Sequence, residues 1–117
     1  MMIRELEVYK RAFRAAVMIH ESALNWPKYE IYGGLADQIR RATRGICANL
    51  AEGLAKKGEA EQRRFLNMAV GSSEEVQVWL EFAHAFGYVN GEDYKHLADE
   101  YAEIGRMLMG LMKRREG

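Results

Sequence analysis

The sequence predicts an all-α fold, an antiparallel up-down-up-down four-helix bundle, and three observations carry that expectation. Apolar residues recur at steps of three and four along four segments, the spacing that gathers side chains on one face of an α-helix. No segment alternates with the period of two that a half-buried strand requires. The single proline, Pro27, falls between the first two ladders, and glycines separate the others. Helices of roughly 20 to 28 residues, about 30 to 42 Å each, joined by short connections, suit neighbours that run up and down. One domain over residues 1–117 is expected, large enough to bury a core without disulfides or a structural metal.

The first helix is expected over about 4–24, with Leu6, Tyr9, Phe13, Val17, His20 and Leu24 as its inner stripe. Pro27 ends it, because proline lacks an amide donor and restricts Trp26 before it. The second helix is expected over about 35–57 on the ladder Leu35, Ile39, Ala42, Ile46, Leu50 and Leu54, closed by Lys56 and Lys57 in a last turn that complements the helix dipole and by Gly58. Within it Gly45, Asn49 and Gly53 stand four apart. An exposed helix gains nothing from such glycines, each costing about 1 kcal/mol relative to alanine, so another helix is expected to approach closely there. The third helix, over about 59–86, opens on Glu59 and Glu61 and carries Phe65, Ala69, Ser72, Val76, Trp79, Ala83 and Phe86, with a second apolar row at Met68, Val78 and Phe82 that implies more than one neighbour. Gly87 ends it. Asn90 is the expected N-cap of the fourth helix, over about 91–114, with Asp93 in the carboxylate role of a capping box and the ladder Tyr94, Leu97, Tyr101, Ile104, Leu108 and Leu111.

Seventeen basic side chains balance 17 acidic ones, but the balance is local only at the start. Residues 38–71 hold Arg40, Arg41, Arg44, Lys56, Lys57, Arg63 and Arg64 against Glu52, Glu59 and Glu61; residues 72–105 hold eight acids and only Lys95. The tail returns to basic with Arg106, Lys113, Arg114 and Arg115 against Glu116. Such segregation suits docking between helices or between subunits and also leaves a positive surface for polyanions. No apolar run approaches the roughly 18 to 20 residues of a membrane span and the first residues lack a signal-peptide pattern, so a soluble, cytoplasmic protein with no membrane partner is expected. The lone cysteine, Cys47, cannot form an internal disulfide and sits in a helical pattern, where a small buried hydrophobe is the ordinary reading.

Little in the sequence points to catalysis. Di-iron bundles need two Glu-x-x-His elements; Glu81 to His84 supplies one, while His20 and His96 have Val17 and Asp93 three positions earlier. No nucleophile elbow, phosphate loop or dinucleotide fingerprint is present. Neither enzyme activity, nor a metal, nor a cofactor is therefore expected. Asn49, Glu52, Ser72 and Glu75 are expected to meet as a polar layer that fixes helix register. Met107, Met109 and Met112 make the end of the fourth helix apolar almost all round, which marks a candidate subunit interface.

The motifs Leu6-Glu7-Val8-Tyr9-Lys10, Trp26-Pro27, Leu35-Ala36-Asp37-Gln38-Ile39-Arg40-Arg41-Ala42, Ala48-Asn49-Leu50-Ala51-Glu52-Gly53, Arg64-Phe65-Leu66, Gly71-Ser72-Ser73-Glu74-Glu75 and Phe86-Gly87-Tyr88, in this order, resemble the small bacterial four-helix-bundle proteins encoded by intervening sequences of 23S rRNA genes. The resemblance spans about Leu6 to Leu111 and departs at Gly45 and Cys47, where the family pattern has serine and proline, and at Gly33-Gly34, one residue longer than the usual loop. It implies a closed ring of protomers, a homopentamer, and kinship with the accessory variability protein of diversity-generating retroelements. That protein assembles with a reverse transcriptase and binds nucleic acid on a basic surface. Carried over, the resemblance makes Arg40, Arg41, Arg44, Lys56, Lys57, Arg63 and Arg64 candidate nucleic-acid contacts. The expected function is a non-catalytic homo-oligomeric scaffold for RNA or DNA or for a nucleic-acid enzyme; the competing expectation is a protein-interaction module with no nucleic-acid role.

Overall fold

Four helices enclose one core in the computed structural model, which describes residues 2–115; Glu116, counted above with the basic tail, lies outside them. The helices are α1 (Glu7–Ala23), α2 (Leu35–Leu54), α3 (Glu59–Ala85) and α4 (Gly91–Lys113), and no strand occurs among the described residues. Each helix touches the next, and α1 also touches α4, while the backbones of α1 and α3, and of α2 and α4, stay apart. No described helix is long and apolar enough to cross a membrane.

The boundaries follow from local chemistry. Ile3–Glu5 forms a short 3-10 turn and Leu6 is extended, so α1 begins at Glu7, later than the ladder implied. Helix α2 starts on Gly34, which has no side chain to cap it. The carboxylate of Glu30 does that work, accepting the Leu35 amide at 2.9 Å through Oε1 and the Tyr88 hydroxyl at 2.9 Å through Oε2. It can come so near because a Cβ on Gly34 would lie 2.6 Å from Glu30 Cα. Helix α2 ends at Leu54, so Lys56 and Lys57 fall in the connection to α3 rather than in a last helical turn; the Lys56 carbonyl is taken by Gln62 Nε2 at 2.7 Å. Gly87, at φ +81°, ends α3 as expected, and Asn90 caps α4 by accepting the Asp93 amide at 2.8 Å. The Asp93 carboxylate bonds the Asn90 side-chain amide at 3.2 Å, in place of the backbone amide of a capping box.

Two ladders face inward as read. Ile39, Ile46 and Leu50 of α2 and Tyr101, Ile104 and Leu108 of α4 are fully buried. The other two are displaced. Helix α1 buries Val8, Ala12, Ala15, Ile19 and Ala23, leaving Phe13, Val17, His20 and Leu24 outside. Helix α3 buries Leu66, Ala69, Ser73, Val76, Leu80 and Ala83, so Phe65, Ser72 and Trp79 move to its flanks and Phe86 is exposed. In both helices a stripe of smaller residues wins the core because it lets helix axes approach.

The close approach inferred from the glycines of α2 is real. A Cβ on Gly53 would stand 2.8 Å from Phe65 Cβ, and one on Gly45 3.0 Å from Ser72 Oγ. Phe65 Cβ is fixed to its backbone, whereas the Ser72 hydroxyl can turn away. Gly53→Ala is therefore expected to destabilise the fold by about 1–3 kcal/mol despite alanine's better helix propensity. Gly110, with nothing within 4 Å, is the control: Gly110→Ala should stabilise by up to about 1 kcal/mol. Urea denaturation midpoints measure both.

Candidate nucleic-acid interface and two apolar faces

The basic segment divides into two clusters. Arg40, Arg41 and Arg44 lie in the first half of α2; Lys56, Lys57, Arg63 and Arg64 surround the α2–α3 connection, which begins about 15 Å beyond Arg44 at 1.5 Å per residue. Most are engaged within the protomer. Arg40 Nη2 donates to the Ile31 carbonyl at 3.1 Å and Arg44 Nε to the Arg40 carbonyl at 3.2 Å. Arg41 Nε lies 3.2 Å from Asp37 Oδ1, and this hydrogen bond holds the Asp37 carboxyl below its ordinary range. Lys56 stands 3.7 Å from Glu52, and Arg64 pairs with Glu61 at 3.0 Å, lowering that carboxyl too. Lys56 and Arg64 also sit over the Phe65 ring, at 5.2 and 4.6 Å from its centroid. Arg63 donates to the Arg115 carbonyl, and Arg115 Nε to Gln62 at 2.7 Å, so the tail of α4 joins this cluster. The sequence shows a basic tuft at the chain end, and only the fold shows that it meets this turn.

The expected polar layer does not form. Glu52 and Glu75 are exposed, Asn49 and Ser72 are half-buried, and no hydrogen bond joins any two of them among the described residues. Among the described residues the buried polar side chains are Thr43 and Ser73, whose hydroxyls donate to the carbonyls of Arg40 at 2.9 Å and Tyr101 at 3.2 Å. The inner face of α3 keeps Ala69, Val76 and Ala83 but is centred towards Leu66, Ser73 and Leu80, which exchanges Ser72 for Ser73. The methionine patch on α4 is also smaller than read: Met107 and Met112 pack against the core, and Met109 alone stands out, at 58% exposure.

The larger apolar surface lies elsewhere, on two separate faces. On α1, Phe13 is 53% exposed and lines, with Tyr9, Val17, Arg40 and Arg44, a 410 Å³ cavity in the seam with α2. On α3, Met68, Val78, Phe82 and Phe86 form a row opposite the buried stripe, with Phe82 and Phe86 47% and 55% exposed and their rings 5.9 Å apart. The sequence signal for both was present. Ala12, Ala15 and Ala23 trace a second α1 stripe, and a stripe of large residues has to go somewhere once alanines take the core.

Other titratable groups are tied into the scaffold. Burial pushes the Cys47 thiol up, away from the thiolate a nucleophile needs. His84 Nδ1 lies 3.0 Å from the Val89 carbonyl with its ring stacked on Tyr94 at 4.6 Å, and no three His, Cys, Asp or Glu side chains gather among the described residues. The Arg11 guanidinium grips Glu100 through two bonds of 2.8 and 3.0 Å, clamping α1 to α4 and lowering the Glu100 carboxyl. A carboxyl depressed in the folded state stabilises above its unfolded value and loses that contribution as pH falls through the folded one. Wild type should therefore exceed Glu100→Gln by about 1 kcal/mol at neutral pH. The gap should close as pH falls below the 4.5 of an ordinary glutamate. Denaturation at several pH values reads it directly.

The sequence of α1 to α4, from Arg4 to Gly110, is matched by the model of the 23S rRNA-intervening sequence protein family. The chain belongs to this family. No curated protein matches it. Among solved structures, a protein of unknown function from the S23 ribosomal protein family of Bacteroides thetaiotaomicron, known from a crystal structure at 1.70 Å resolution, superposes with a TM-score of 0.80 at 25% identity, over 91% of this chain and 98% of that one. This member of the intervening-sequence family shares the four-helix architecture of that protein across nearly its whole length.

Proposed function

We propose that this intervening-sequence family protein is a non-catalytic scaffold whose protomers, each an up-down-up-down bundle, associate into a closed ring that presents its basic segments to nucleic acid. The observation that carries this reading is the surplus apolar surface on α1 and α3, where Phe13, Val17, Val78, Phe82 and Phe86 remain exposed after the protomer has folded. Patches of that kind on a water-facing protein mark interaction sites. Five copies is the number that the family resemblance implies for the ring. The resemblance also offers a nucleic-acid enzyme, such as a retroelement reverse transcriptase, as a partner delivered to the same polyanion.

Each protomer contributes a modest positive charge, and repetition around a ring supplies avidity that one copy lacks. Arg41, Lys57 and Arg64, all exposed, are the side chains best placed to reach phosphates. Reversing all three to glutamate should remove a salt-dependent RNA or DNA gel shift while the native mass persists. Equal binding by the triple variant would remove these residues from the account. A second reading, a protein-interaction module alone, draws support from the ion pairs that already occupy Arg41, Lys56 and Arg64. It expects no gel shift at any ionic strength.

A further inference from the structure

We propose that the α1–α2 groove of one protomer receives the α3 ridge of a second copy, head to tail, with Arg40 and Arg44 of the groove meeting Glu74, Glu75 and Glu81 of the ridge. The proposal rests on the self-assembly reading above and specifies which surfaces meet. Five observations support it. The groove is apolar along its floor and wall, where Phe13 and Val17 are exposed and a 410 Å³ cavity opens between α1 and α2. The ridge is a continuous outward row at steps of three and four, Met68, Gly71, Glu75, Val78, Phe82 and Phe86, every member of it exposed.

The lengths agree. Groove positions from Tyr9 to Glu21 span about 18 Å of helix, and the ridge from Met68 to Phe86, about 27 Å, is long enough to fill it. Charge is complementary as well. Among the described residues neither Arg40 nor Arg44 has an ion-pair partner, and neither do Glu74, Glu75 and Glu81, so two unpaired cations against one carboxylate, Glu21, line the groove, while only carboxylates stand on and beside the ridge from Glu74 to Glu81. Finally, Gly71 sits mid-helix on the ridge with nothing within 4 Å in its own protomer. A glycine there costs about 1 kcal/mol of helix stability with no return inside the protomer, but it lets another helix approach.

Groove and ridge are different surfaces of one chain, so their pairing is heterologous and propagates from copy to copy until a ring closes. This separates it from any two-fold contact and gives a sharp test. A groove variant, Phe13→Asp, keeps its ridge; a ridge variant, Phe82→Asp, keeps its groove. Both positions are exposed, and retained helical circular dichroism verifies each fold. Should Phe82→Asp lose its helical signal, Gly71→Arg replaces it, since arginine raises helix propensity while blocking the ridge. Light scattering should then show each variant alone at the 13.4 kDa protomer mass and an equimolar mixture at twice that mass, a capped pair that grows no further. A wild-type assembly whose mass survives either substitution, or folded variants that fail to pair on mixing, would overturn the proposed contact and leave self-assembly through another surface standing. Wild type at the protomer mass would instead overturn self-assembly itself. A capped pair is the outcome that neither a two-fold contact nor docking of a foreign helix produces.

Discussion

Leu80→Ala is expected to destabilise the protein by about 2–5 kcal/mol, a large share of the roughly 5–15 kcal/mol that holds a domain of this size together. Leu80 is fully buried among residues from all four helices' shared core, and truncation there removes apolar contacts while leaving a cavity. The companion change acts in the opposite sense. Ala12→Leu adds volume on the tight inner stripe of α1, where Ala12 has no exposed surface, and should cost about 1–3 kcal/mol by overpacking. Leu24→Ala, by contrast, removes a large but exposed side chain and should cost under about 1 kcal/mol. Urea midpoints that ranked Leu24 above Leu80 would place the inner stripes on the wrong residues.

A loss of nucleic-acid affinity through a gain of positive charge is the second large effect. Gly71→Arg adds a cation to the protomer, which by itself should strengthen polyanion binding slightly. On the ridge it also blocks the groove of the next copy. Avidity from repeated basic segments is worth factors of about 10² to 10⁴, so the net expectation is about a hundredfold weaker binding in a filter or gel assay at fixed salt. If Gly71→Arg binds as tightly as wild type while running as a protomer, avidity plays no part in the binding.

The helices were legible in sequence and two of their inward faces were not, for a physical reason. In α4, before the methionine-rich end, the large apolar residues form a single stripe, so Leu97, Tyr101 and Ile104 could face nowhere but inward. In α1 two stripes compete: one of Tyr9, Phe13 and Val17, the other of Val8, Ala12, Ala15 and Ile19. Periodicity counts both, and side-chain size favours the wrong one. Helix axes approach most closely over alanine, and the geometry of packing, not the amount of apolar surface on one helix, decides the core. The same ambiguity turned the inner face of α3 towards Leu66, Ser73 and Leu80, exchanged Ser72 for Ser73 and dissolved the polar layer. Close approach at Gly53 was legible because glycine in a helix has a cost that only packing repays. The basic candidates were legible as charge, but not as partners: Asp37, Glu52 and Glu61 lie three or four residues from the arginines and lysines they hold, a local pairing that sequence spacing allows and only coordinates establish.

Those misplaced stripes are also where the functional reading lives, since the large residues displaced from the core form the groove and the ridge. Sedimentation velocity of the wild-type protein at micromolar concentration tests that reading most directly. The account expects a species several times the 13.4 kDa protomer, five-fold if the family resemblance holds in full. One boundary at 13.4 kDa across the concentration range would contradict it.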